Sequence, residues 1–277
     1  MSQAPVSSPG AGAQHVVSRL MRESLMDKRV LAGTEAPVRR ILPHLNVIQI
    51  GGLSIMDRGQ SAVLPLLDEI VANQAEHTQV IGVGPGVRAR HILSVGLDLG
   101  LPTGALATLA AKSSAQNAYM VSCLLASHGF VYLEAPFIVQ LLPAMLAAAR
   151  GAVFNGIPPY DLWEHPPALG KIPPHGSDAG SYLVGEVFGA RSVILIKDVD
   201  GVFTADPKSH SDARLIPDIR VGELMAMSLE TLPVEPVVME LLTRSKLVKS
   251  IQIVNGLVRG NLTRALAGEN VGTIVRA

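Results

Sequence analysis

The segment Ser192-Val193-Ile194-Leu195-Ile196 constrains the fold of this chain most strongly. Such an apolar, largely β-branched run is typical of a strand buried on both faces in a parallel sheet. It stops abruptly at Lys197, Asp198 and Asp200, and Asp200-Gly201 is a turn dipeptide. Because ligands of open α/β sheets bind beyond the carboxyl ends of the strands, these charges predict a ligand site. Taken alone, they fit a solvated strand-to-turn junction equally well.

Strand-like and helix-like segments alternate along the chain. Strands are predicted at 46–50, 79–81, 130–133, 152–154, 192–196, 250–254 and 272–275. Helices are predicted at 58–74, 92–99, 114–128, 137–149, 178–188, 221–228, 235–246 and 261–267. This order predicts an α/β fold, with a mainly parallel sheet covered by helices on both faces.

The first residues differ in composition from the rest of the chain. Residues 1–13 are rich in Ser, Pro, Gly, Ala and Gln, and residues 14–30 have the mixed charge of an exposed helix. We therefore expect two parts: an N-terminal tail and helical arm over 1–44, and one domain over 45–277.

Overall charge and hydropathy exclude some partners. Lys and Arg together number 23, as do Asp and Glu, so no net field attracts nucleic acid or an anionic membrane. No apolar run approaches the ~20 residues of a membrane helix, and no signal peptide is apparent, which predicts a cytoplasmic protein. Charged residues are only 17% of the chain, so we expect much of the surface to be buried against other subunits.

The chain has one cysteine, Cys123, which excludes an internal disulfide and a cysteine zinc cage. It lies in an apolar stretch of the predicted helix 114–128. We therefore expect a buried packing role for this thiol rather than nucleophilic chemistry.

Glycine-rich segments follow the first two predicted strands. Gly51-Gly52 follows one strand, and Gly82-x-Gly84-x-Gly86 follows the next and opens a helix with Arg88 in its first turn. Backbone N–H groups without side chains approach an anion closely, and the helix dipole adds attraction. Tight turns also need glycine for packing, so each segment alone is a weak signal. Together with the strand at 192–196, the two segments favour a phosphate site.

Residues on either side of the 192–196 strand complete a nucleotide hypothesis. Lys197 suits a phosphate, Phe203 suits a base, and Asp206 suits a ribose hydroxyl. Asp178 falls in the first turn of the helix 178–188, where its charge meets the dipole favourably. This carboxylate either caps the helix or holds Mg²⁺ or a basic side chain at the phosphates. The glycine spacing departs from G-x-G-x-x-G, and a Walker A loop is absent, so neither common phosphate-binding motif applies.

A proline-rich loop over 155–176 contains Asp161, His165 and His175. Long ordered loops are more often functional than not. Singly, each histidine fits a surface or an interface. Together with Glu134 at the end of another strand, these residues would face an enclosed space.

The segment Val199-Asp200-Gly201-Val202-Phe203-Thr204-Ala205-Asp206-Pro207 resembles the base-binding signature of the amino acid kinase family, and above all that of bacterial uridylate kinases. The resemblance covers residues 45–276. It implies a three-layer α/β/α sandwich, of the carbamate kinase type, around a mainly parallel sheet of about eight strands.

Further motifs resemble the subunits of the molybdenum storage protein family. They are Met56-Asp57-Arg58-Gly59, Gly86-Val87-Arg88-Ala89-Arg90-His91, Pro158-Pro159-Tyr160 and Ile172-Pro173-Pro174-His175. Residues 168–174 and 260–269 resemble the β-type chain of that family, whereas 97–100 and Glu134 resemble the α-type.

This second resemblance implies a hexameric cage, either α₃β₃ or built from one chain type. It implies ATP and Mg²⁺ as cofactors, and molybdate or tungstate stored as polyoxometalate clusters, with ATP hydrolysis linked to loading. The nucleotide-binding residues would be Gly51, Gly52, Gly84, Gly86, Arg88, Lys197, Asp198, Asp200, Gly201, Phe203, Asp206 and Pro207. Asp178 would be the catalytic residue, and Glu134, Asp161, His165 and His175 would face the clusters.

Two departures argue against a phosphoryl-transfer enzyme. Gln49 stands where amino acid kinases usually carry a lysine in the first strand, and a neutral amide cannot neutralise a transferring phosphoryl group. Residues 113–117 lack the aspartate with which uridylate kinases read the nucleoside monophosphate. The alternatives are a nucleoside monophosphate or amino acid kinase with an unusual first strand, and a nucleotide-sensing subunit with little catalysis.

Overall fold

A computed structural model describes residues 37–207 and 209–277. The helical arm expected at 14–30 lies outside these residues. The strands are β1 (Leu45–Ile50), β2 (Thr78–Val83), β3 (Phe130–Tyr132), β4 (Gly151–Phe154), β5 (Ser192–Lys197), β6 (Val202–Phe203), β7 (Leu215–Ile216), β8 (Asp218–Arg220), β9 (Ser250–Asn255) and β10 (Thr273–Arg276). The helices are α1 (Gln60–Asn73), α2 (Val87–Asp98), α3 (Thr103–Leu125), α4 (Ala135–Ala148), α5 (Ser177–Phe188), α6 (Val221–Ala226), α7 (Pro236–Thr243) and α8 (Asn261–Leu266).

The main sheet has eight strands in the order β3-β4-β2-β1-β5-β9-β10-β8. The strands from β3 to β9 in this order run parallel to one another. β10 is antiparallel to β9, and β8 is parallel to β10. The carboxyl ends of β1, β2 and β5 therefore lie side by side at one edge of the sheet, which is where parallel strands place a ligand site.

Alternate residues of the central strands face opposite layers of the core. On one side, Val47 and Leu195 pack with residues of α4, α5 and α7. On the other side, Ile48 and Ile194 pack with residues of α1, α3 and α8. Because both faces are covered, β1 is buried along its whole length. The predicted three-layer α/β/α sandwich is confirmed.

Helix α3 begins at Thr103, well before the predicted start at residue 114. Pro102 precedes it, and its carbonyl accepts hydrogen bonds from the amides of Ala105 and Leu106. The early glycine that interrupts the helical pattern, Gly104, is required by packing, since a Cβ there would lie 2.0 Å from the carbonyl oxygen of Leu162. Residues 113–117 therefore lie in the middle of α3 rather than at its start.

Cys123 is exposed, so the prediction of a buried thiol is wrong. The side of α3 that packs on the sheet carries Ala118, Val121 and Leu125. Cys123 projects from a different side of the helix, which also exposes Tyr119 and Leu124. Because this stretch is apolar on several sides of the helix, its sequence did not show which side is buried.

The shortest strands were not predicted. β6 and β7 form a separate two-stranded antiparallel sheet, and β8 closes the edge of the main sheet beside β10. These three segments carry too little alternation to be recognised. No described helix combines the length and the apolar character needed to cross a bilayer.

Candidate nucleotide-binding site

The two glycine segments meet at the carboxyl edge of the sheet. The Gly51 amide donates to the Ile196 carbonyl at 3.0 Å, and the Gly84 amide donates to the Ile50 carbonyl at 2.9 Å. A Cβ on Gly52 would lie 2.2 Å from the Gly86 nitrogen. The absence of side chains therefore lets the loops after β1 and β2 pack directly on each other.

The start of α2 is capped by a carboxylate from another segment. The Val87 amide donates to Asp57 Oδ2 at 2.6 Å. Gly86 has φ +72°, and a Cβ there would lie 2.4 Å from the Asp57 carboxylate. The N-terminus of α2, expected to attract a ligand phosphate, is thus already occupied by Asp57.

A buried ion pair joins the end of β5 to the start of α5. Lys197 Nζ donates to both oxygens of Asp178, at 2.8 and 2.7 Å. The exposed fraction is 14% for the lysine side chain and 3% for the aspartate side chain. Of the two roles predicted for Asp178, the structure places this carboxylate on a basic side chain.

Glu235 caps the N-terminus of α5, a residue that the sequence did not single out. Its carboxylate accepts hydrogen bonds from the amides of Gly176, Asp178 and Ala179, at 2.9, 3.1 and 3.0 Å. In return the Glu235 amide donates to Asp178 Oδ2 at 3.2 Å. The cap residue itself is Gly176.

Burial raises the pKa of Glu235 to about 7, and the neighbouring Asp178 carboxylate adds to the rise. The backbone amides and Lys197 oppose it because they favour the ionised form. This carboxyl group, which belongs to the charged cluster at the start of α5, therefore gains or loses its proton near neutral pH.

Two neighbouring cavities open at this edge. The larger, of about 590 Å³, is bordered by the glycine loops, the start of α2 and the Lys197–Asp178–Glu235 cluster. The smaller, of about 250 Å³, is bordered by the segment after β5, including Phe203. They share Val199, Leu232 and Pro233. Ten of the thirteen predicted nucleotide and catalytic residues line them: Gly51, Gly52, Gly86, Asp178, Lys197, Asp198, Gly201, Phe203, Asp206 and Pro207.

The other three predicted residues do not border either cavity. Gly84 packs beneath the loops, Arg88 donates to Asn117 Oδ1, and Asp200 accepts from Asn255 Nδ2 at 2.8 Å. Arg90, two residues beyond Arg88, lines the larger cavity instead. Helical geometry explains why Arg90 and not Arg88 borders the cavity, because residues two apart on a helix face different directions.

Gln49 lies fully buried beneath the glycine loops. Its Oε1 accepts a hydrogen bond from the Ser181 hydroxyl, and its Nε2 donates to the Ile50 carbonyl at 3.0 Å. The side chain points to the same side of the sheet as Val47, toward α5. The amide is therefore held within the protein, and the cation at the cavity floor is Lys197.

Only two residues of the predicted metal set come together. His165 and His175 converge on Glu164, whose side chain is 2% exposed, and the ligand atoms of the three lie within 4.8 Å of one another. Asp161 instead accepts the amide of Leu162 at 2.9 Å, and Glu134 is an exposed residue before α4. Glu164 lies in the same loop segment of the sequence, but its burial could not be recognised there, since charged residues in loops are usually exposed.

Tyr160 borders this histidine group. Its ring meets His175 edge to face, with centroids 5.9 Å apart. Burial raises the pKa of the Tyr160 hydroxyl, and the Glu164 carboxylate raises it further, so this hydroxyl stays protonated at neutral pH.

The fold just described is that of a known class of protein. The profile of the amino acid kinase family matches residues 44–255, and the chain belongs to this family. The protein is 48% identical to the molybdenum storage protein subunit beta of Azotobacter vinelandii over 259 residues, covering 93% of this chain and 96% of that one. The predicted resemblance to both groups is confirmed.

More distant relatives include a uridylate kinase. That of Hyperthermus butylicus is 28% identical over 204 residues, covering 71% of this chain and 81% of the relative. Among solved structures, uridylate kinase from Archaeoglobus fulgidus superposes with a TM-score of 0.66 at 21% identity, covering 83% of this chain and 99% of that one. An isopentenyl phosphate kinase gives a TM-score of 0.61 at 22% identity, covering 84% and 100%. These two structures support the fold alone.

Proposed function

We propose that this chain is a cytoplasmic, ATP-binding subunit of a hexameric cage that stores molybdate or tungstate as polyoxometalate clusters, with ATP hydrolysis linked to loading. The observation that carries the proposal is the pair of adjoining cavities at the carboxyl edge of the sheet. The similarity to a molybdenum storage protein subunit over nearly the whole chain supports the storage role.

The two cavities suit the two ends of a nucleotide. The larger has a buried ammonium group, Lys197, and glycine loops whose backbone approaches any ligand closely. The smaller has the half-buried ring of Phe203 for an adenine and Asp206 for a ribose. ATP would place its phosphates in the larger cavity and its base in the smaller.

Mg²⁺ accompanies ATP phosphates in most proteins that bind this nucleotide, and it prefers carboxylate oxygens. Asp178, Asp198 and Glu235 border the larger cavity and offer such oxygens. Asp178 is already paired with Lys197, so in this proposal it orients the lysine and contributes charge to a bound cation.

The geometry around Gln49 favours storage over the alternative of a kinase. Its amide is buried and bonded to Ser181 and to the Ile50 carbonyl. It offers no charge to a phosphoryl group in transfer, and catalysis of that transfer is mainly electrostatic, so transfer at the rate of a kinase is disfavoured. ATP hydrolysis is the same kind of transfer, and in this proposal it depends on Lys197 for positive charge.

Assembly with homologous subunits, of one or two types, accounts for the exposed apolar side chains. Tyr119 is 60% exposed on α3, and Phe137 is 50% exposed on α4. Large apolar side chains left exposed on two helices fit contacts with other subunits.

The test is metal and nucleotide analysis of the protein purified after growth with molybdate or with tungstate. We expect many metal atoms per chain, present only when ATP is supplied. Phe203→Ala should weaken ATP binding and lower the metal content, whereas Phe203→Tyr, which keeps the ring, should retain both. A preparation with no more metal atoms than chains, despite bound ATP, would contradict the storage role. ADP formation that depends on added UMP would support the kinase instead.

A further inference from the structure

We propose that Glu164, His165 and His175 form a binding site for a divalent transition-metal cation, separate from the nucleotide cavities and from oxyanion storage. The three residues lie in the loop between β4 and α5. His175 Nδ1 is 2.7 Å from Glu164 Oε1, and His165 Nε2 is 3.6 Å from the same oxygen. The two imidazole rings are stacked, with centroids 6.1 Å apart.

The buried carboxylate determines whether this site suits a positively or a negatively charged ligand. Glu164 is 2% exposed, and a buried carboxylate is costly unless it is paired with positive charge. A cation between Glu164 and the imidazoles supplies that charge. A molybdate or tungstate oxyanion would add negative charge against it, so His165 and His175 are better suited to a cation than to the clusters predicted from the sequence.

The donor set also indicates which cations fit. Two imidazole nitrogens and one carboxylate oxygen suit Zn²⁺, Co²⁺ or Ni²⁺, whereas Mg²⁺ prefers oxygen alone. Tetrahedral zinc, with bonds of ~2.0–2.1 Å, places its ligand atoms ~3.3 Å apart. The separation of 3.6 Å at His165 already matches this spacing. His175 would exchange its hydrogen bond to Glu164 for a bond to the metal.

The backbone at His165 supports a built site. His165 has φ +43°, a left-handed conformation that residues other than glycine rarely adopt. The Ala168 amide donates to the His165 carbonyl at 2.8 Å and holds this turn. Such strain persists where the surrounding structure enforces it, often at ligand sites. The His165 side chain is 56% exposed, which leaves an entry path and an open coordination position.

The site also adjoins the nucleotide region. A cavity of about 120 Å³ is bordered by His175 on one side and by Glu235 on the other. A cation held by His175 would therefore lie near the charged cluster at the start of α5.

The experiment is titration of the full-length, metal-free protein with Co²⁺, whose visible absorption reports nitrogen and oxygen ligands. We expect one Co²⁺ per chain, displaced by Zn²⁺. His165→Ala should weaken binding by more than about tenfold, because even residues that only support a ligand contribute ten- to a hundredfold. His165 is half exposed, so this variant should fold, and circular dichroism checks that it does.

The matched control is His128→Ala, which removes an exposed histidine outside the group and should leave Co²⁺ binding unchanged. Absence of Co²⁺ bands in the wild-type protein, or equal affinity in His165→Ala, would overturn the proposal. Molybdenum content measured on the same samples tests storage independently, so the two proposals fail separately.

Discussion

Lys197 and Asp198 are neighbours in the chain, yet they form two ion pairs of opposite character. Lys197 pairs with Asp178 at the floor of the larger cavity, where the side chains are 14% and 3% exposed. Asp198 pairs with Arg58 at 2.5 Å at the rim, where Asp198 is 30% and Arg58 is 49% exposed. The change from the protein interior to the exposed edge therefore occurs between these two residues, at the point where β5 ends.

The difference separates the residues that form the interior of the site from those that lie at its exposed edge. A buried ion pair leaves an uncompensated charge in the interior when one partner is removed, which costs far more than the pair contributes. An exposed pair is screened by water and salt and contributes little. The floor should therefore be sensitive to every charge change, and the rim should tolerate them.

The largest effect is expected for Lys197→Met. It leaves the buried Asp178 carboxylate, beside Glu235, without a cation, so we expect a loss of about 3–5 kcal/mol in the free energy of unfolding. Chemical denaturation measures this loss. Arg58→Met is the matched control at the rim. If both variants lose the same stability, the distinction between floor and rim is wrong.

The second effect concerns pH and Glu235. The folded protein holds this proton up to about pH 7, whereas the pKa of a glutamate in an unfolded chain is 4.5. Between these values the folded state binds more protons, so stability falls as pH rises, by on the order of 3 kcal/mol across the window. Denaturation at pH 5, 6, 7 and 8 measures this slope. Glu235→Gln should flatten it, and a slope that survives the substitution would assign the titration to another group.

The third effect tests an uncharged part of the floor. Gln49→Leu removes the acceptor of the Ser181 hydroxyl and the donor to the Ile50 carbonyl. The Ile50 carbonyl keeps its bond from the Gly84 amide, so the group left unsatisfied is the buried Ser181 hydroxyl, which should cost about 1–3 kcal/mol. Adding Ser181→Ala to this variant removes this orphaned group and should recover part of the loss. Failure to recover any stability would show that packing, and not hydrogen bonding, decides this position.

The smallest effect is expected for Asp198→Asn at the rim. Loss of the exposed pair with Arg58 should change the free energy of unfolding by about 0.2–1 kcal/mol, and this difference should shrink as salt is added. Denaturation at low and high ionic strength makes the comparison. A larger effect, insensitive to salt, would place Asp198 among the residues that build the floor.

Local pattern predicted much of the sheet and one side of the site. The apolar run before Lys197 and the glycines after β1 and β2 are contiguous signals, and the structure brings them to one edge. Glu235 escaped prediction because its partners, the amides at the start of α5, lie 56 to 59 residues away in the chain. Because glutamate side chains are usually exposed, the sequence predicts an exposed carboxylate at this position, and only the tertiary packing buries it.

The same physical reason explains the other differences. Asp57 caps α2 from a separate turn, and Glu164 is buried by the loop around it. Gly104 resembles a helix breaker in sequence, and its need for space appears only when the Leu162 carbonyl packs against it. For Asp57 and Gly104 a contact from a distant part of the chain overrides the local preference.

The strand order has a consequence for how the protein folds during its synthesis on the ribosome. β1 pairs with β2 and with β5, so the cavity takes one wall from the first third of the chain and another from residues after 192. Glu235 emerges later still. A chain that ends before Glu235 therefore lacks part of the cavity wall and the cap of α5, whatever its early segments have folded into. On the proposal that ATP binds here, binding would require synthesis to have passed Glu235.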